Sequence, residues 1–396
     1  MSMTHIPVHA PADAALPVPE NKAPAPLWRI AFRPFFALGA LAAVLLMGVW
    51  LLALSGHFPL ALSPLWHAHE MLYGFGSAIL CGFLLTAIQN WSGQRSLHGR
   101  RLQLLAGVWL LGRLGAFAPW PLLTALLDLA FFPLFLLFLH PYLALPKQKR
   151  NRIFYGLLSL MTLGNLLYHV QMLGWSENTA RSGIYLALHL YLAMCMLIGG
   201  RIIPAFTRGA VENARISQWP ALEKTVFGLS ALWLASEALL PAWAGVFALL
   251  AGLAHLVRWL GWRPWQTWRK PILWVLPLGY AWLITGLLLR AGLGYSSTIT
   301  HLFTVGVVGG LMHAMLTRVS LGHTGRTILT TGLGLSGYLL LQLAIVLRAF
   351  GPTLSPALYL QLMLAAGLAW MLVFGLYLFE YLPLLVRPRP DGRTDS

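Results

Sequence analysis

The sequence predicts an all-α protein, a polytopic transmembrane helical bundle of about twelve helices. Of its 396 residues, 58% are hydrophobic and only 10% are charged, and the mean hydropathy is +0.71. A soluble domain typically has about 25% charged residues, and each membrane crossing needs roughly 20 apolar residues. The long apolar runs therefore indicate membrane spans, and the lipid bilayer is the first partner that we expect.

Twelve apolar runs mark the predicted spans, numbered here in chain order. They lie at residues 35–54, 66–89, 102–118, 121–145, 153–173, 182–200, 221–239, 242–260, 271–290, 298–316, 328–348 and 356–380. The membrane domain is thus expected to cover residues 27–386. Residues 1–26 are rich in Pro and Ala and lack a signal-peptide pattern, so we expect a disordered cytoplasmic tail. Residues 387–396 are expected to form a short basic tail.

The basic residues fall on alternate connections between the spans. Most of the 27 Lys and Arg belong to one set of connections, whereas the loop at 55–65 has none and the loop at 174–181 has only Arg181. Cytoplasmic loops carry the excess of Lys and Arg, so both termini are predicted to be cytoplasmic. Because the net charge of +16 is spread thinly over these loops, it does not indicate a nucleic-acid partner.

Three spans carry related features, which suggests a repeat of four helices. Spans 6 and 10 both contain Gly-Gly, six residues and Thr-Arg, and span 2 has Thr86 near the matching end. His69, His189 and His301 precede the threonines of their spans by 16–18 residues, which is about 25 Å along a helix. We therefore expect three histidines at one depth, in the outer half of the membrane. Three pseudo-symmetric four-helix units resemble, as a fold-level analogy, subunit I of haem-copper oxidases.

The most specific local pattern is Trp-His-Ala-His-Glu-Met, at the start of span 2. On a regular helix His67 and His69 project about 160° apart, so both cannot face one metal, while Glu70 lies on the face of His67. Either His69 is an axial haem ligand and His67 pairs with Glu70, or the roles are reversed. The structural alternative is an interfacial pair bonded to water and backbone. Ionisable groups inside a membrane are costly and mark functional sites by default.

Other outer-half residues extend this candidate site. His189 and His301 are candidate ligands, because neutral imidazole suits both haem iron and copper, and His169 in span 5 is a further copper candidate. Arg113 either holds a haem propionate or pairs with Asp128. Any haem would be non-covalent, because the two Cys form no CxxCH motif. The candidate proton-relay acids are Glu70, Asp128 and Glu237.

At these patterns the sequence closely resembles the NnrS family of haem- and copper-containing bacterial inner-membrane proteins. The matching stretches are residues 32–36, 66–71, 82–87, 90–93, 199–208 and 301–326. The resemblance covers nearly all of the chain after residue 26. It implies a multi-pass location in the bacterial inner membrane, haem of b type, copper, and a role in nitric oxide binding, metabolism or protection against nitrosative stress.

We therefore expect a haem protein, with copper, that binds, senses or turns over nitric oxide. An enzyme of this kind would be a haem-copper oxidoreductase and would need electrons from quinol or a periplasmic donor. One alternative is a secondary transporter, because twelve spans with internal repeats also fit that class. Another is a metal-handling accessory protein without redox chemistry.

Overall fold

Twelve long helices follow one another in the computed structural model, which describes residues 24–59 and 62–393. They are α1 (Phe32–Leu54), α2 (Pro64–Ser92), α3 (Gly99–Gly115), α4 (Pro121–Leu143), α5 (Ile153–Met172), α6 (Thr179–Ala210), α7 (Pro220–Leu239), α8 (Pro241–Gly261), α9 (Pro271–Leu293), α10 (Ser297–His323), α11 (Gly332–Ala349) and α12 (Tyr359–Val386). Each coincides with one predicted span, so the prediction of an all-α bundle is confirmed. The cytoplasmic tail was expected to cover residues 1–26, and residues 1–23 of it lie outside the described part of the chain.

Ten of these described helices are long and apolar enough to cross a membrane. The other two, α3 and α7, do not meet this description. Helix α3 has 17 residues and includes Arg100, Arg101 and Arg113, and α7 includes Glu223 and Glu237. Leucine side chains are exposed along most of the helices, as a surface in contact with lipid requires. The protein is therefore a multi-pass membrane protein.

Local sequence explains where many helices begin. Five of them start with proline, which lacks the N–H that the first turn would leave without a partner; these are α2, α4, α7, α8 and α9. At the starts of α2 and α10, the hydroxyl oxygens of Ser63 and Ser296 accept hydrogen bonds from backbone N–H groups three residues later. These caps fix the N-terminal ends of the two helices that carry His67, His69 and His301.

The first and last helices meet at one face of the bundle. Arg33, at the start of α1, is fully buried, and its Nη1 donates to the carbonyl oxygens of Leu385 at 2.7 Å and Arg387 at 2.8 Å. These acceptors lie at the end of α12, so the described ends of the chain emerge on the same side. This agrees with an even number of crossings.

Helices α2 and α10 share an unusual backbone. Each has a π-helical segment, Glu70–Gly76 in α2 and Leu302–Gly309 in α10, and each segment begins directly after a histidine, His69 or His301. They are also the most buried of the ten spanning helices, with 83% and 78% of their apolar windows inside the protein. π-Helical turns are rare and occur often at functional sites. Helices α2 and α10 are therefore central elements of the bundle.

The threonines that suggested a repeat occupy equivalent local environments. Thr86, Thr207 and Thr317 are all buried. Each hydroxyl lies within 3.3 Å of the carbonyl oxygen four residues earlier and donates to it. Because α6 has no π-helical segment, the likeness is closest between α2 and α10. The matching features on these spans thus extend from sequence to backbone geometry.

Candidate functional site

A cavity of about 800 Å³ lies among α1, α2, α6, α10, α11 and α12. Its rim includes Pro64, Asn178, Ser296 and Tyr359, which stand at the ends of helices in the connections with few basic residues. Its walls are mainly apolar, with large aromatic side chains from α1, α2 and α12. Ligand and cofactor pockets commonly measure about 300–1,000 Å³. Residues of spans 2, 6 and 10, the three that carry related features, all line this cavity.

Two of the predicted histidines, His67 of α2 and His301 of α10, line the cavity. The ring of His67 stacks on Trp50, with ring centres 4.8 Å apart and planes at 16°, and its Nδ1 is buried without a partner among the described residues. The Nδ1 of His301 donates to the carbonyl oxygen of Ser297 at 2.7 Å. The cavity therefore brings together two imidazoles from the central helices.

Arg113 of α3 lies away from the cavity, in a buried ion-pair cluster. Its Nη1 donates to Glu70 Oε2 at 2.7 Å, and its Nη2 contacts Asp128 Oδ1. All three side chains are at least nine-tenths buried. Of the two roles left open for Arg113, the structure contains the pairing with Asp128, and it adds Glu70 as a second carboxylate. Two of the three candidate relay acids, Glu70 and Asp128, are thus held by one guanidinium group.

His69 joins this cluster rather than the cavity. Its Nδ1 lies 3.0 Å from Glu70 Oε1, and its Nε2 lies 2.9 Å from Asn165 Oδ1 and 3.2 Å from Asp128 Oδ2. His169 Nε2 lies 2.9 Å from the same Asp128 oxygen. Of the two arrangements left open for these histidines, the geometry agrees with the second. His69 contacts Glu70, and His67 faces the cavity.

The carboxylate of Glu70 is held by its neighbour His69 and by Arg113, and no hydrogen bond joins it to His67 among the described residues. The expectation paired Glu70 with His67 from the spacing of a regular helix. That spacing takes no account of side chains on other helices, and Arg113 Nη1, on α3, lies 2.7 Å from Glu70 Oε2. The partner of Glu70 is therefore decided by packing between helices, since the π-helical turns begin only at Glu70 itself.

The residues 26–389 match a family model described as NnrS protein. The chain belongs to the NnrS family. The resemblance inferred from the sequence patterns is thereby confirmed over nearly the whole described chain. Comparisons with curated proteins and with solved structures find no match.

In this NnrS-family chain the third histidine of the predicted set, His189 of α6, is not part of the cavity wall. Its Nε2 lies 3.2 Å from the Tyr295 hydroxyl, and its ring packs edge-on against Trp233. Tyr295 does line the cavity. Of the three histidines, His67 and His301 therefore line the cavity directly, and the Tyr295 side chain lies between His189 and the cavity.

Sequence reasoning missed Arg348 at the end of α11, which lines the cavity of this NnrS-family chain. A signal for it exists in the sequence. Arg348 is one of only four basic residues outside the strongly basic connections, and it lies at the end of a predicted span. An arginine at the end of a span that lies away from the basic connections departs from the charge pattern, and ionisable residues within spans are candidate functional residues.

Proposed function

We propose that the outer cavity binds haem through His67 and His301, and that the protein binds, senses or turns over nitric oxide at that haem. The observation that carries the proposal is the meeting of two imidazoles, from α2 and α10, on one cavity of cofactor size. Membership of the NnrS family supports the link with haem and nitric oxide.

The residues of the cavity fit haem chemically. The buried Nδ1 of His67 has no partner in the described part of the chain, and an unsatisfied polar atom in an apolar site costs roughly 2–7 kcal/mol. The Nδ1–H of His301 is directed at the Ser297 carbonyl, which leaves Nε2 with its lone pair. Histidine ligands of metals characteristically donate their other ring N–H in this way. The apolar walls would exclude water from a macrocycle.

When bound, haem iron supplies a coordination position for a small neutral ligand such as nitric oxide. The chain contributes orientation of the imidazoles, through Ser297 and through stacking on Trp50. Its apolar walls favour a neutral ligand that partitions from the lipid.

The cavity opens at the side opposite the basic connections. If the protein is an oxidoreductase, this position favours a periplasmic electron donor over a cytoplasmic one. Quinol is the other donor class.

The location proposed is the bacterial inner membrane, with both termini in the cytoplasm. The alternating basic connections support this orientation, and Arg33 at the start of α1 bonds to the end of α12. The outer cavity then faces the periplasm.

Copper, the second proposed cofactor, has a candidate position in the ion-pair cluster. Ligand atoms of His69, Asp128 and His169 lie within 4.8 Å of one another, and all three residues are buried. Two imidazoles suit copper, and a bound ion would replace the hydrogen bonds of His69 Nε2 to Asn165 and of His169 Nε2 to Asp128. Arg113 already contacts that carboxylate, so its positive charge opposes the ion.

Metal analysis of the purified protein tests the copper proposal. The wild type should contain copper, His169→Ala should lose it, and His140→Ala, at an exposed position, should retain it. Equal copper in all three proteins, or none in the wild type, would exclude this cluster as the site.

Absorption spectroscopy tests the haem proposal. The protein is expressed with haem in excess, purified in detergent and reduced, and nitric oxide is then added. We expect a Soret band with α and β bands on reduction, and a shift of the Soret band with nitric oxide. A folded, monodisperse protein without a Soret band would refute the proposal and favour the transporter or metal-handling classes.

A further inference from the structure

Four arginines stand apart from the connections that carry the other basic residues. They are Arg113, Arg181, Arg290 and Arg348. Two of them have carboxylate partners, since Arg113 contacts Glu70 and Asp128 and Arg290 contacts Glu237. The other two, Arg181 and Arg348, line the outer cavity. Within the described residues, the outer arginines without an ion pair are therefore those of the cavity.

Arg348 lies close to the histidine face of the cavity. Its Nη2 donates to the hydroxyl of Ser297 at 3.3 Å, and the carbonyl of the same serine accepts the hydrogen bond from His301. The side chain is partly buried. No carboxylate pairs with it in residues 24–59 or 62–393. One serine thus connects the guanidinium group to the candidate ligand.

A guanidinium group in a low-dielectric cavity favours an anion, because a charge removed from water is costly without a counter-charge. Its planar fork of donors matches a carboxylate in a bidentate arrangement. Arg181 stands at the rim, exposed, with its guanidinium 5.6 Å from the centre of the Tyr185 ring. Both arginines lie toward the outer opening, at the end of α11 and the start of α6.

We propose that Arg348, with Arg181 at the rim, binds the propionate carboxylates of haem in the outer cavity. This inference rests on the proposed haem function. The two arginines would hold the carboxylates near the outer opening, and His67 and His301 would hold the iron. Arg113, the propionate partner that the sequence suggested, is already engaged by two carboxylates.

The test compares haem with haem dimethyl ester, which has the same macrocycle and no propionate charge. Full-length protein is expressed under haem limitation, and each compound is titrated in detergent with the Soret band as readout. The wild type should bind haem at least about tenfold more tightly than the ester, the change expected from one charge-assisted hydrogen bond. In Arg348→Gln this preference should shrink by about tenfold, and Arg348→Lys should retain part of it. Arg181→Gln should lose less, because its position is exposed.

Arg208→Gln is the matched control, since Arg208 is an exposed arginine in the last turn of α6, at its opposite end. It removes one charge and should keep the full preference for haem. Equal affinity of the wild type for haem and its ester would overturn the role of the arginines and leave haem binding intact. That comparison needs no variant, so it holds even if Arg348→Gln does not fold. A wild type that binds neither compound would overturn the haem function itself, and this inference with it.

Discussion

The Nδ1 atom of His301 lies 2.7 Å from the carbonyl oxygen of Ser297, one helical turn earlier in α10. A carbonyl can only accept, so Nδ1 carries the proton and Nε2 is the basic nitrogen. Both nitrogens of His69, by contrast, lie within hydrogen-bonding distance of side chains in the ion-pair cluster. Two histidines that follow the same sequence pattern, each directly before a π-helical segment, thus have different chemistry available to them.

Replacing the cavity histidines should remove haem. His301→Ala and His67→Ala each delete one proposed iron ligand, so each should lose most of its haem while keeping its elution volume. His189→Ala is the matched control, since His189 lies behind the cavity wall, against Tyr295. The measurement is the ratio of haem to folded protein after size exclusion. An unchanged ratio for both cavity variants, or a loss only in His189→Ala, would contradict the assignment.

Removing Arg113 should destabilise the bundle without touching the cavity. Arg113→Met leaves Glu70 and Asp128 buried beside each other without a cation, and breaking a buried ion pair costs about 3–5 kcal/mol. We expect a clear fall in the thermal unfolding midpoint in detergent. Arg208→Gln, which changes an exposed side chain, should alter stability by no more than about 0.5 kcal/mol. A midpoint equal to that of the wild type would show that the cluster contributes little.

The crossing of α5 and α6 depends on two facing glycines. A Cβ added at Gly183 would collide with the carbonyl oxygen of Gly164. Gly183→Ala should therefore lower the free energy of unfolding by about 1–3 kcal/mol, because the helices would be overpacked. Gly156, on the exposed side of α5, has open space around it. Gly156→Ala should therefore leave the free energy of unfolding unchanged or raise it by up to about 1 kcal/mol. Equal unfolding midpoints for the two variants would argue against the close approach of these helices.

Reporter fusions test the orientation. A reporter that is active only in the periplasm should be silent when fused after Arg393 and active when inserted after Gly174, in the connection between α5 and α6. The charge pattern and the contact of Arg33 with the end of α12 support this result. Activity of the fusion after Arg393, in a stable full-length protein, would invert the topology.

The sequence by itself determined the spans, the alternation of charge and the family. These depend on local properties, because runs of apolar residues and short basic loops need no knowledge of which helices touch. It also identified the histidines of the cavity and of the cluster, since an ionisable residue inside a span is conspicuous at any position.

Only the tertiary structure decided how those residues divide between two sites. Which face of α2 meets the cavity and which meets the ion-pair cluster depends on the helices that pack around it, and sequence spacing does not specify them. The partner of Arg113 depends on the packing of α3 against α4 and α2, and the place of Arg348 depends on α11 meeting α10. Side chains more than 40 residues apart, such as Arg113 and Glu70, meet only because whole helices pack together. The spacing of residues in the sequence does not predict such contacts.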